Sequence, residues 1–307
     1  MADITAALVK ELRESSGAGM MDCKKALTET GGNMDEAVDW LRKKGLAAAA
    51  KKSGRVAAEG LVSVATDGSK GAVIELNSET DFVARNPEFQ AFVASICQVA
   101  LSQDGDFDKA SATVMDGGKS VTDTVTEMVG TIGENLSFRR SVGITVSEGV
   151  VASYVHGAVA PNQGKIGVII GLESAGDAGK LAEFGKQLAM HVAAANPLWV
   201  SQDEVDTEAV DREREVLADQ ARESGKPEEI VQKMVDGRLR KYYEEVCLLD
   251  QTFVIDGETK ISKAVEAAAG DVGAPVKIVG FARVQLGEGI EKEESDFAAE
   301  VAATAGG

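Results

Sequence analysis

The chain has 307 residues, with 50 acidic side chains against 32 Lys and Arg and a formal net charge of −18. That balance repels phosphate backbones and anionic bilayers, so it argues against direct binding of nucleic acid or membrane and for a protein partner with a basic or mixed-charge face. Hydrophobic content of 44% and charged content of 27% are those of an ordinary globular protein, in a chain long enough for about two domains.

Residues 1–55 read as three short helices and a linker. Ile4, Leu8 and Leu12 form the first apolar stripe, and Ser15 to Gly19 breaks it. Met20, Cys23 and Leu27 share a face of the second helix and leave Met21 and Lys24 on another. An exposed Met beside a Lys suits protein contact, and a peripheral core position for Met21 is the alternative. Asn33 with Glu36 starts the third helix as a capping box, and Met34, Ala37, Val38 and Leu41 line it. The basic, Ala-rich stretch 43–55 reads as helix tail and linker. Such a small module, with a thin core, suits binding to another protein.

From Glu59 the texture turns β-like. Runs at 61–66 and 71–77 flank Asp67-Gly68-Ser69-Lys70, which is hairpin chemistry. Asn86-Pro87 opens a helix carrying Phe89, Phe92, Val93 and Ile96. A helix over 121–132 and a strand over 136–146 follow. The order then recurs: Glu59-Gly60-Leu61-Val62 resembles Glu148-Gly149-Val150-Val151, and Gly71-Ala72-Val73-Ile74 resembles Gly167-Val168-Ile169-Ile170. The helix with Phe92 has its counterpart in one with Leu181, Phe184, Leu188 and Val192. This predicts an α+β fold of two related halves. Residues 203–246 predict an antiparallel helical hairpin with a wet exterior, inserted into the second half and open to self-association. Strands are predicted at 252–255 and 276–286, and a short amphipathic helix with Phe297 and Val301 at 295–303. The expected division is 1–55, 56–146, 147–202 with 247–286, 203–246, and 287–307.

Chemistry is sparse. The 3 Cys (Cys23, Cys97 and Cys247) lack metal-ligand or redox spacing and read as reduced, buried thiols. His156 and His191 have no ligand-spaced companions, and His191 reads as a core or helix-packing residue. Gly118-Lys119-Ser120 imitates the end of a phosphate loop, but Thr113 stands where its first glycine belongs. Gly287-Glu288-Gly289 reads as a turn. The expectation is a non-enzyme with no cofactor and no metal. The first residues lack the layout of a signal peptide, and no apolar run is long enough to span a bilayer, so a cytoplasmic protein is expected.

The most unusual segment is Thr80-Asp81-Phe82-Val83, on the connection from a strand to the Asn86-Pro87 helix. Phe82 fits neither periodicity. Pattern alone favours a ring tucked back as a plug. The alternative is a ring turned outward as an anchor for a partner.

Several stretches together resemble the elongation factor Ts family. They are Ile4 to Arg13 followed by Gly17 to Leu27, Glu75 to Arg85, Ile132-Gly133-Glu134-Asn135 with Arg139-Arg140, Tyr154 to Gly157, Gly287 to Lys292 and Asp296 to Val301. The resemblance implies an exchange factor whose partner is the GTPase elongation factor Tu. It implies a ubiquitin-associated-like N-terminal module that docks on the GTPase through Met20, Met21 and Lys24. Thr80, Asp81, Phe82 and Val83 would form the element that displaces the partner's Mg2+. Ile132, Gly133, His156, Val254, Ile255 and Phe297 would be further contacts, and the hairpin would be the family's coiled-coil insertion. An adaptor or chaperone-like protein, or an unrecognised nucleotide-binding enzyme, are the rival readings. Nucleotide release from the partner and nucleotide binding by the chain alone separate the three.

Overall fold

The computed structural model describes residues 4–16, 18–222 and 227–291. It is an α+β fold. At the N-terminus α1 (Ala6–Ser16), α2 (Met20–Glu29) and α3 (Met34–Lys52) pack around Leu12, Cys23, Ala26, Leu27 and Ala37. Met20 does not join this core: it is exposed beside Met21, and Ala26 takes the inward place. Asn33 caps α3 by accepting the Glu36 N–H (3.2 Å). The Glu36 carboxylate meets the Asn33 side-chain amide (3.1 Å), because the Asn33 N–H already bonds Thr30 O (3.2 Å). The stretch expected as tail and linker is helix as far as Lys52. It is held by packing across α6 (Val121–Ile132), where Gly45 meets Gly130. A Cβ on Gly130 would lie 3.1 Å from the Gly45 Cα, so the absence of side chains sets that crossing.

The body is two antiparallel sheets stacked face to face. One has the order β3-β2-β1-β5, the other β4-β6-β7. The strands are β1 (Glu59–Asp67), β2 (Lys70–Ser78), β3 (Leu136–Thr145), β4 (Gly149–His156), β5 (Gln163–Gly164), β6 (Ile166–Glu173) and β7 (Lys277–Gln285). In each sheet a hairpin is joined by a later strand that pairs with its second member, so the two sheets share one topology. The inner faces meet through Val62, Val64, Val73, Val151, Ile169 and Val284. At the centre of that contact a Cβ on Gly167 would lie 2.6 Å from Val62 Cγ1, so only glycine lets the sheets approach there. The outer faces are covered by α4 (Pro87–Ser102) and α7 (Ala178–Ala195). Leu61, Ile74, Leu76, Phe89 and Ile96 fill the first outer layer, and Val168, Ile170, Leu172, Leu181 and Leu188 the second. Both faces of β1, β2 and β6 are buried, so burial runs along these strands without alternation.

Between α4 and β3 lie α5 (Phe107–Ala112) and α6. The six-residue α5 escapes sequence reading because it is too short to show a period; Asp106 caps it. Between α7 and β7 come α8 (Thr207–Arg222), α9 (Glu228–Val246) and α10 (Ile261–Val272). The first two pack through Val210, Leu217, Val231, Val235 and Leu239. The expected strand at 252–255 is a turn. Thr252 makes one isolated bridge, to Lys260, and Gly257 N–H closes back on Phe253 O (2.8 Å). Its β-branched residues misled because β propensity reflects packing on a pleated surface, and Val254 and Ile255 are half exposed on this turn. Among the described residues no helix is long and apolar enough to cross a membrane. The helix expected around Phe297 lies outside them.

Candidate partner-docking surface

The β2–α4 connection presents its aromatic residue outward. Phe82 is 75% exposed, so the plug is not formed. The turn beneath it is closed by Arg85 N–H to Phe82 O (3.1 Å) and Asn86 N–H to Val83 O (3.0 Å). Val83 and Ala84 are buried in the first outer layer. Asn86 then caps α4 by accepting Glu88 N–H (2.8 Å), with Pro87 in the first turn. Thr80 is fixed on the other side of the ring: its N–H and hydroxyl both donate to Glu134 (2.8 and 2.6 Å). Asp81 is exposed, with the Arg85 guanidinium 4.0 Å from its carboxylate. Of the four residues singled out in the sequence, Asp81 and Phe82 are presented, while Thr80 and Val83 hold them.

The N-terminal helices add a second face. Met21 is 76% and Met20 59% exposed, and with Lys24 they line a cleft of about 960 Å³. Ile4, Val9 and Glu88 line it too. Glu88 belongs to the first turn of α4, so the methionine face and the root of the Phe82 turn open on the same hollow. Gly133, in the left-handed conformation that ends α6, is exposed, and its carbonyl accepts from Lys52 Nζ. Ile132 instead packs inward.

A third group lies on the second half. His156 is exposed at the end of β4, its Nδ1 3.3 Å from the Tyr154 hydroxyl. The loop after it returns to pair Gln163 and Gly164 with β1, and Gln163 Nε2 donates to Gln90 O (2.8 Å). Val254 and Ile255 are about half exposed on the turn at 252–257. That turn hangs on His191, which is fully buried. Val254 N–H donates to His191 Nδ1 (3.2 Å), so the proton of the neutral ring sits on Nε2 and faces Gln251 Oε1 (2.8 Å). Burial lowers the imidazole pKa below 6.5, and the bond to Gln251 opposes the shift. The ring also packs against Phe253. Sequence placed His191 in the core. Its hydrogen bond to a turn 63 residues away left no local mark.

A buried carboxylate organises the chain's exit toward the C-terminus. Glu75, fully buried on β2, pairs with Arg139 (3.2 Å) and Arg140 and accepts Gly287 N–H (2.7 Å). A register shift opposite Glu75 admits Arg139 as an extra residue, so two successive guanidiniums serve one carboxylate. Leaving such a charge unpaired would be costly, which ties the 286–289 turn to the sheet. Phe297, beyond it, lies outside the described residues. The thiols take no part. All three are buried, and burial pushes Cys97 up to about 12 and Cys247 up to about 11. Among the described residues no cluster of His, Cys, Asp and Glu could hold a metal ion.

An exposed aromatic on a braced turn, a methionine-lined cleft and a half-exposed aliphatic turn are features of the kind that protein interfaces use. Residues 79–288 match the model of the family described as Elongation factor TS. The chain belongs to the elongation factor Ts family. It is 63% identical over 308 residues to elongation factor Ts of Parvibaculum lavamentivorans, with all of both chains covered. It is also 63% identical to elongation factor Ts of Paramagnetospirillum magneticum, covering 100% of this chain and 98% of the relative. The same identity and full coverage hold for elongation factor Ts of Rhodospirillum centenum. Membership of the elongation factor Ts family makes this chain a translation elongation factor.

Proposed function

We propose that this chain is the guanine nucleotide exchange factor of elongation factor Tu, and that its Phe82 turn drives GDP off by displacing the partner's Mg2+. The observation that carries the reading is the Phe82 ring, turned to solvent yet braced on both sides. A factor that binds the empty GTPase better than the GDP-loaded one weakens GDP by the same free energy, through linkage. Removing Mg2+ takes a large local positive charge away from the nucleotide phosphates, and nucleotide leaves faster. Incoming nucleotide expels the factor by the reciprocal coupling. No acid, base or nucleophile is required, so in this reading the chain is not an enzyme. Met20, Met21 and Lys24 dock the N-terminal helices on the GTPase. Gly133, with Ile132 behind it, lies beside the wedge, while His156, Val254 and Ile255 serve a more distant part of the partner. The acidic surface, at −18, favours a protein partner over nucleic acid. Action in the cytoplasm, where translation runs, follows from the same reading.

The test is stopped-flow release of a fluorescent GDP from elongation factor Tu by the unaltered chain, Phe82→Ala and Asp81→Ala. Slower release with Phe82→Ala, at an unchanged melting temperature, supports the wedge. Wild-type release by Phe82→Ala refutes it, and no release by the unaltered chain favours an adaptor role.

A further inference from the structure

The β2–β3 ladder ends at the pair Ser78 and Leu136. Past that point two carboxylates continue it reciprocally. Glu134 accepts the N–H and hydroxyl of Thr80 (2.8 and 2.6 Å), and Glu79 accepts the N–H of Asn135 (2.6 Å). The Thr80 carbonyl accepts from the Ser78 hydroxyl (2.9 Å), so all three polar groups of Thr80 are engaged. Glu134 is itself held on both sides. The carbonyl of Gly133 before it takes Lys52 Nζ, and the side chain of Asn135 after it donates to Arg55 O (2.7 Å). The residues that follow Thr80 are the ones turned out to solvent: Asp81 and Phe82.

We propose that Glu134 is a positioning residue for exchange, acting through Thr80 to aim the Phe82 ring; this rests on the exchange reading above. Bonds to an ionised acceptor are about twice as strong as neutral ones, and here two converge on one side chain. A wedge held in its working direction before encounter avoids the ordering cost that a loose loop meets on binding. Freed from Glu134, the ring would stay exposed and the remaining contacts would still dock. Affinity should then persist while the wedge arrives misdirected. A residue that merely supported the fold would lower stability and leave the saturated rate alone.

The experiment uses the full chain and elongation factor Tu loaded with fluorescent GDP, with release rate followed against factor concentration well below each variant's melting midpoint. The variants are Glu134→Gln, which keeps size and replaces one acceptor by a donor, Thr80→Val, which removes the hydroxyl, their double, and Phe82→Ala as reference. Loss of a charge-assisted pair of bonds is expected to lower the saturating rate of Glu134→Gln about tenfold, with the half-saturating concentration within about twofold. Thr80→Val should lose less, and the double should be no slower than Glu134→Gln, because both remove the same contact. If Glu134→Gln does not fold, near-isosteric Thr80→Val carries the test on the same split. A saturating rate within about twofold of the unaltered chain, or losses that multiply in the double, overturns the proposal. If Phe82→Ala is slow while Glu134→Gln and Thr80→Val are not, only the positioning role falls. If Phe82→Ala itself exchanges normally, the wedge reading falls and takes this one with it.

Discussion

The two halves of the body solve the same problem twice, and they differ where it matters. Each must carry the chain from the second strand of a hairpin into the helix that covers the sheet. In the second half, residues 174–177 suffice. Asp177 ends them by capping α7, accepting from Gly179 N–H (2.9 Å) and Lys180 N–H (3.0 Å). In the first half, residues 79–86 make the same passage with a helical turn inserted and an exposed ring on it. Closing the chain over the sheet does not need those extra residues, as the second half demonstrates. The extra turn and exposed ring of the first connection are therefore features that closing the fold does not require.

The largest effect should come from Phe82→Ala. An anchor ring at the centre of an interface is worth about 2 kcal/mol, so release should slow about 30-fold. Because the ring is mostly solvent-exposed, thermal melting should move by less than about 2 °C. Val83→Ala should behave in the opposite way. It opens space in the layer that holds Phe89 and Ile96, so chemical denaturation should show a loss of about 2 kcal/mol. Release at temperatures where the variant is folded should fall only modestly. If the two neighbours behaved alike, the division into presented and holding residues would be wrong.

Much of this was legible in the sequence. Hairpin chemistry at Gly68, the Asn86-Pro87 start and the apolar periods of α4 and α7 are local signals, and the structure agrees with them. The connection bearing Phe82 stood out because its aromatic matched no period. What escaped was long-range. Glu134 and Thr80 lie 54 residues apart, and His191 and Val254 lie 63 apart, so only the folded register brings them together. The stripe of Met20, Cys23 and Leu27 reads as one face, yet Met20 on it is exposed. A helix in so thin a bundle buries less than its apolar stripe. The pattern alone also favoured a plug for Phe82, since a lone aromatic is more often buried than shown, and exposure depends on what has already filled the core.

The turn bearing Val254 and Ile255 sharpens the contrast, because an imidazole holds it where carboxylates hold the first. The His191 pKa lies below 6.5 in the folded chain, so the unfolded chain takes up the proton first. The bond from Val254 N–H to Nδ1 is therefore intact above that value and is lost as pH falls through the depressed one. Stability should decline on acidification from about pH 7.5 down through that depressed value, measured by urea titration at each pH, and His191→Gln should flatten that decline. A decline of equal slope in the variant would mean that other groups set it.

The smallest effects compare the two helix caps. Removing the Asn86 cap with Asn86→Ala should cost about 1 kcal/mol. It should also slow release a few-fold, since the turn under Phe82 ends on that residue. Asp177→Ala should weaken α7 and leave release unchanged, because its connection carries none of the residues assigned to partner contact. The two should also part in acid. The backbone N–H groups of Lys180 and Gly179 hold the Asp177 carboxyl below 3.8, so its contribution is present above that value and disappears as pH falls through the lowered one. The Asn86 amide does not titrate, and its contribution should persist into acid. Urea midpoints of both variants, taken at neutral pH and near pH 3, would test this. An Asp177→Ala deficit that stayed constant across that range would show that the cap works through the shape of the turn rather than through the charge of its carboxylate.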